Sequence, residues 1–187
     1  MLISLTAIAL VLAPASTGCE AGFEQSIADE LAVIQRGMRV YSTVPQAEWN
    51  AEQRALMTET MTLLAARDRP VSQLDLDILD RALSILHGEA AWDRADDREC
   101  SADDTSWSIF CALHQASIAV SGGYEHRRTA LQEVRFIIQD RSAGRDYAHR
   151  MMDYNNDPAT DFDAARSSIA EARIVVAERL AAQCPGE

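Results

Sequence analysis

Apolar side chains recur every third or fourth residue over most of this chain, and that spacing predicts α-helices. The two clearest stripes contain Phe23, Ile27, Leu31, Ile34, Met38 and Tyr41, and Phe162, Ala165, Ile169, Ala172, Val176 and Leu180. No segment shows the alternation of apolar and polar residues that is typical of a half-buried strand. Because each stripe must be covered by another helix, the sequence predicts an all-α bundle of about five helices plus a short sixth, stabilised by disulfides.

Pairs of capping residues three positions apart mark where several helices are expected to begin. These pairs are Asn50 and Gln53, Ser72 and Asp75, Ser101 and Asp104, and Thr160 and Asp163. The third pair, with the break at Gly122-Gly123, predicts a helix over about 103–121. A further helix is expected over about 124–140, and a short helical segment over about 145–154. The acidic segment 89–105 lacks the periodicity and is predicted to be a loop.

The first residues predict export. Residues 2–12 are an uninterrupted run without charge, and the small residues Ala13-Pro14-Ala15 follow it. This run is too short to cross a bilayer, which takes about 20 residues, but it suits a secretory signal. We therefore predict a signal peptide over 1–15 and a single helical domain over 16–187. A buried first helix is the alternative, because no Lys or Arg precedes the apolar run.

A second processing signal competes with this one. Ser16-Thr17-Gly18-Cys19 resembles a bacterial lipobox, in which Cys19 would become the lipidated first residue. The resemblance departs at Ser16, where that motif usually has Leu. We expect a periplasmic or extracellular protein, with a lipoprotein anchored through Cys19 as the alternative.

The charge balance disfavours two classes of partner. Against 29 acidic residues the chain has 17 basic ones, all of them Arg, so its net charge is −12. Such a surface repels the phosphates of nucleic acids and the headgroups of anionic membranes. Nucleic-acid binding is therefore not expected.

The four cysteines predict two disulfides. None forms a C-x-x-C motif or a zinc spacing with His, and an exported chain is expected to be oxidised. Of the three possible pairings we predict Cys100–Cys111 and Cys19–Cys184. Eleven residues of continuous helix rise about 16 Å, which is too far for a disulfide, so the first pair requires a non-helical chain at Cys100.

The segment 122–152 is unusual in having more Arg than acidic residues. Its candidate anion-binding residues are His126, Arg127, Arg128 and Arg135, because a guanidinium matches carboxylates and phosphates. The alternative is that these side chains pair with acids on neighbouring helices. On a helix that begins near Tyr124, Arg127 shares the apolar face. We therefore expect Arg127 to be partly buried, to pair with an acid, and to matter more for stability than Arg128.

No motif indicates a metal, a cofactor or a catalytic centre. Residues 153–157 resemble the start of a calcium loop, but Pro158 and Ala164 stand where that loop needs Gly and Glu. Common hydrolase, metalloprotease and nucleotide-binding motifs are absent from the sequence, so no catalytic residue, metal or cofactor is predicted. Enzymatic activity stays open and is not favoured.

Two functions are compatible with these features. The first is an exported, non-enzymatic helical envelope protein that binds a protein or peptide partner. The second is a binder of a small anionic ligand that uses the Arg- and His-rich segment at 126–150. A cavity lined by Arg side chains without acidic partners favours the second, and a flat apolar patch favours the first.

Overall fold

The computed structural model describes residues 18–185, and within that range it contains α-helices and no strand. The all-α prediction is confirmed. The described residues form seven α-helices, one at each helical segment that the sequence indicates, so the count of about five plus a short sixth was one too low. The predicted signal peptide lies outside the described residues. The helices are α1 (Gly18–Thr43), α2 (Ala51–Ala65), α3 (Gln73–Ile85), α4 (Ile109–Ser121), α5 (Thr129–Arg141), α6 (Arg150–Asn156) and α7 (Phe162–Gln183).

Two of the predicted capping pairs form complete capping boxes. Asn50 and Gln53 begin α2, and Ser72 and Asp75 begin α3. In each box both residues bond the other's backbone NH, so two donors without helical partners are satisfied. The last helix begins one residue later than the Thr160 and Asp163 pair predicts, because its N-cap is Asp161, whose side chain accepts the backbone NH of Ala164.

Helices α4 and α5 begin later than predicted. The Ser101 and Asp104 pair closes an isolated turn, and α4 begins at Ile109 after its N-cap Ser108. Arg128, rather than Tyr124, directly precedes α5. The helix begins there because the buried carboxylate of Asp75 accepts the backbone NH of Ala130 at 2.9 Å. A partner from α3 thus satisfies the first turn of α5, and the sequence near α5 gives no sign of it.

The core is built by α3, α4, α5 and α7. Helix α3 packs against the other three, and α5 also packs against α7 and the short α6. Completely buried apolar side chains fill the space between them, among them Ile78, Leu79, Leu113, Leu131 and Ile169. Among the described residues, no helix is long and apolar enough to cross a membrane.

Helices α1 and α2 form a hairpin that lies against this core. The two helices pack closely on each other. Ion pairs from Glu24 to Arg128 and from Glu30 to Arg69 attach α1 to the core, with shortest distances of 2.6 and 2.7 Å. Arg67, just after α2, forms two hydrogen bonds of 2.7 Å to Asp140 at the end of α5. The hairpin is therefore held at several points along its length.

Close packing within the hairpin depends on Gly37. A Cβ atom at this position of α1 would lie 1.9 Å from the hydroxyl oxygen of Thr60 on α2. We expect Gly37→Ala to lower the free energy of unfolding by about 1–3 kcal/mol, because the helices must separate to admit the methyl group. Gly22→Ala, where nothing lies within 4 Å, is the matched control in α1 and is expected to be neutral or stabilising. Urea unfolding measures both, and equal effects would contradict the predicted contact.

Both predicted disulfides are present. Cys19–Cys184 joins the beginning of α1 to the residue after α7, with the Cα atoms 6.1 Å apart. Cys100–Cys111 joins the acidic loop to the first turn of α4, with the Cα atoms 5.2 Å apart. The chain at Cys100 is not helical, as this pairing requires.

Candidate functional site

A cavity of about 500 Å³ lies between the hairpin and the core. One wall is apolar and comes from the hairpin, with Met38, Tyr41, Met57, Met61 and Leu64. The other wall comes from α4, α5, α6 and the loops beside them. It contains the basic residues of the cavity, together with Phe110, Tyr147, Met151 and Met152; the basic residues are Arg98, His126, Arg127, Arg135, His149 and Arg150. The docking of the hairpin therefore creates a space whose two sides differ in chemistry.

The charge of this cavity is opposite to that of the chain. Four Arg side chains line it, while none of the described residues that line it is Asp or Glu. Across the whole sequence, acids outnumber Arg by 29 to 17. A basic wall without acids is therefore not a consequence of composition, and it creates a positive potential inside the cavity.

Arg135 differs from the two other buried Arg side chains in the described part of the chain. Arg69, which is 3% exposed, pairs with Glu30, and Arg128, 6% exposed, pairs with Asp75 and Glu24. Arg135 is 7% exposed and forms no ion pair with any described carboxylate. A buried guanidinium without an anionic partner is unfavourable, so Arg135 stands out among the buried Arg side chains.

The side-chain contacts of Arg135 are all with neutral groups. Its Nη1 atom donates to the backbone carbonyl of His126 at 2.9 Å. Its Nη2 atom lies 3.3 and 3.4 Å from the two ring nitrogens of His126, whose Nδ1 is 2.7 Å from the hydroxyl of Tyr124. His126 and Tyr124 therefore orient Arg135 but supply no negative charge to balance it.

Three neighbouring side chains supply further donors. No described carboxylate forms an ion pair with Arg127 or Arg150. Gln132, which lies one turn before Arg135 on α5, is 4% exposed, and its Nε2 atom has no partner among the described residues. Because buried amides nearly always form hydrogen bonds, Gln132 is an unusual side chain that adds an amide donor to this wall.

The basic wall also changes the acid–base properties of its residues. Burial, with Arg135, Arg127 and Arg98, lowers the pKa of His126 from 6.5 to about 3. Burial and the nearby Arg127 lower the pKa of Arg135 from its usual value to about 10. At neutral pH, His126 is therefore neutral while Arg135 keeps its charge.

The low pKa of His126 predicts a pH dependence of stability. Between pH 6.5 and about 3 the unfolded chain binds a proton at His126 that the folded chain does not. The free energy of unfolding therefore falls as the pH decreases through this range. In His126→Asn this contribution is absent, so the variant should lose less stability than the wild type between about pH 7 and about pH 5. Urea unfolding at both pH values measures the difference, and equal losses would contradict the burial of a neutral imidazole.

The structure brings together three of the four predicted anion-binding residues. His126, Arg127 and Arg135 line the cavity. Arg128 does not, because it turns towards Asp75, with its Nε atom 3.1 Å from a carboxylate oxygen. The prediction that Arg127 pairs with an acid is wrong for the described residues. It assumed a helix from Tyr124, and α5 begins only after Arg128, which removes Arg127 from the apolar face.

Sequence reasoning missed Arg98, Gln132 and Arg150 as parts of this wall. Arg150 lies in the same Arg-rich segment, so its composition was a usable signal. Arg98 comes from the acidic loop and Gln132 from the middle of α5, and neither has a distinguishing pattern. Only the packing of α4, α5 and α6 places these side chains around one space.

The residues of the calcium-like segment have other contacts. Asp153 accepts the backbone NH of His149 at the beginning of α6, and Asp157 contacts Arg145 and Tyr147. Within residues 18–185, no group of three or more His, Cys, Asp or Glu side chains is arranged to hold a metal ion.

Comparison with known proteins finds no similarity. No protein-family model, curated protein or solved structure matches the chain. The candidate site therefore depends on the geometry of this chain alone.

Proposed function

We propose that the cavity binds a small anionic ligand, with Arg135 as the principal contact. The observation that carries this proposal is the pairing pattern of the buried Arg side chains. Two have carboxylate partners, and Arg135 has none among the described residues and faces a cavity lined by further Arg. A carboxylate or phosphate group would supply the missing partner, because the guanidinium can bind either with two parallel hydrogen bonds.

The other basic groups extend this role. Arg127 and Arg150 add positive charge beside Arg135, and Gln132 offers an amide donor. His126 holds the Arg135 side chain through its carbonyl. The wall is therefore organised before a ligand arrives, which reduces the entropy lost on binding.

A protein or peptide partner remains the alternative function. Large exposed apolar side chains would support it, and four occur among the described residues. Two of them, Tyr41 and Met61, line the cavity and are accounted for by a ligand there. The cavity with its Arg side chains therefore favours the small anion.

We also propose that the protein acts outside the cytoplasm. Two disulfides are compatible with a periplasmic or extracellular location. A lipid anchor at Cys19 and the bond to Cys184 exclude each other, because one sulfur atom cannot form both bonds. Mass spectrometry of the mature N-terminus separates a chain that begins at Ser16 from one that begins with a lipidated Cys19.

Substitution of Arg135 by Met tests the function. Hexanoate and its neutral counterpart hexanamide are the probes, and calorimetry measures their binding. We expect only hexanoate to bind the wild type, and Arg135→Met to weaken that binding about 30-fold or more. The same substitution should raise the free energy of unfolding without ligand by about 1 kcal/mol, because it removes a desolvated cation.

Arg81→Met is the matched control. Arg81 is exposed on α3 and does not line the cavity, so this change removes the same charge from another place. Hexanoate should bind this variant as it binds the wild type. Equal binding of hexanoate and hexanamide, or equal losses in both variants, would refute an anion site at Arg135.

A further inference from the structure

We infer that the ligand is an anionic amphiphile, with one carboxylate or phosphate head bound at Arg135 and an apolar chain lying on the hairpin. This inference rests on the proposed function and specifies its ligand class. The cavity lining carries both kinds of surface. Its basic residues come from the core, and its apolar residues come from α1 and α2 together with Phe110, Met151 and Met152 of the core.

Methionine is concentrated in this cavity to an unusual degree. The chain has six Met, and all five that follow Met1 line the cavity: Met38, Met57, Met61, Met151 and Met152. Met side chains are flexible and polarizable, so a surface made of them adapts to apolar groups of different shape. Met61 is 58% exposed although its side chain is apolar, so it is available to contact an incoming chain.

The size of the cavity fits an amphiphile better than an inorganic anion. A volume of about 500 Å³ lies within the range of pockets that bind organic molecules of drug size. A free phosphate ion would occupy a small part of this space beside Arg135 and leave the methionine side chains of the cavity in contact with water. An alkyl chain attached to the anion would cover these methionine side chains.

A soft metal cation is the main competing occupant of a site rich in Met. Thioether sulfur is a good ligand for Cu(I). However, four Arg side chains line the same cavity and no described acid lines it, so a cation would be repelled. The positive charge of the cavity therefore favours an anion over a cation. The methionine side chains favour a ligand that also has an apolar part.

The dependence of affinity on chain length tests the inference. The full-length oxidised protein is titrated by calorimetry with acetate, hexanoate, octanoate and decanoate, and in parallel with decanol and monodecyl phosphate. We expect affinity to rise about fourfold for each added methylene until the chain fills the cavity. Decanol should bind much more weakly than decanoate, and comparison with monodecyl phosphate identifies the preferred head group.

A substitution at Met61 locates the chain on the hairpin. Met61→Gln keeps the length of the side chain and makes it polar. Because Met61 is exposed, the change is expected to leave the fold intact. We expect it to weaken decanoate binding about tenfold and to leave acetate binding unchanged. Ala55→Gln, at an exposed position of α2 outside the cavity, is the matched control and should bind decanoate like the wild type.

Methionine oxidation provides an independent readout. Decanoate should slow the peroxide oxidation of Met61 to its sulfoxide, measured by mass spectrometry, while acetate should not. If the carboxylates bind with affinities that do not depend on chain length, the inference is overturned and the proposed anion site stands. If decanol and decanoate bind equally, or if neither the carboxylates nor monodecyl phosphate bind, the proposed function fails as well.

Discussion

Replacement of Arg128 by Ala is expected to lower the free energy of unfolding by about 3–5 kcal/mol. Asp75 is completely buried, and its carboxylate accepts the backbone NH groups of Ser72 and Ala130. The Nε atom of Arg128 lies 3.1 Å from the same carboxylate and supplies the positive charge beside it. Without Arg128, a buried anion would remain with no cation in contact, which is far less favourable than burying neither charge.

Arg127→Ala is the matched control for this prediction. The two residues are adjacent, but no described carboxylate forms an ion pair with Arg127. Its removal is expected to change stability by less than about 1 kcal/mol. Urea unfolding followed by circular dichroism measures both variants. A double variant, Arg128→Met with Asp75→Asn, should recover part of the loss, because it removes both charges and keeps an amide oxygen to accept the backbone NH of Ala130. Equal losses for the two single variants would contradict the buried pair.

Loss of the Cys19–Cys184 bond is expected to have the largest effect on stability of any single covalent change. The bond closes a loop with a sequence separation of 165, whereas Cys100–Cys111 closes one of 11. In the chain-entropy account, the longer loop stabilises the fold by about 5 kcal/mol and the shorter one by about 3 kcal/mol. The unfolded chain gains more freedom when the longer loop is opened.

The paired double variants test this order. Cys19→Ser with Cys184→Ser removes the long bridge, and Cys100→Ser with Cys111→Ser removes the short one while leaving the same number of serines. Urea midpoints and slopes give the free energy of unfolding for each. A larger loss for the Cys100 and Cys111 variant would mean that the short bridge acts by ordering the acidic loop in the folded state, not by loop closure alone.

Local signals predicted much of this fold from the sequence. The capping boxes at Asn50 and Ser72 involve residues only three positions apart, so the sequence contains the whole interaction. The start of α5 was not predictable in this way, because it depends on Asp75, which is 55 residues from its partner Ala130. Because the predicted helix began too early, the sequence placed Arg127 on the apolar face and ranked it above Arg128 for stability. In the structure, Arg128 is the residue that is buried and pairs with Asp75.

The candidate site was predictable only in part. His126, Arg127 and Arg135 stand close together in an Arg-rich segment, and composition was sufficient to select them. The apolar wall was not predictable, because Met38 and Met57 face these residues only after the hairpin docks on the core. In the sequence, Met38 belongs to the apolar stripe of the first helix and is interpreted as a core position. The shared role of Met38 and Met57 depends on contacts between segments that are far apart in the chain.

The bond between Cys19 and Cys184 also determines how this domain responds to mechanical tension. Its two Cα atoms are 6.1 Å apart, and all seven described helices except the first residue of α1 lie between them in the chain. A force that pulls on the two ends of the oxidised chain passes through the disulfide and does not stretch the backbone between the two cysteines. Under a load that unfolds the reduced form, the oxidised domain would therefore stay folded, and the cavity would keep its shape.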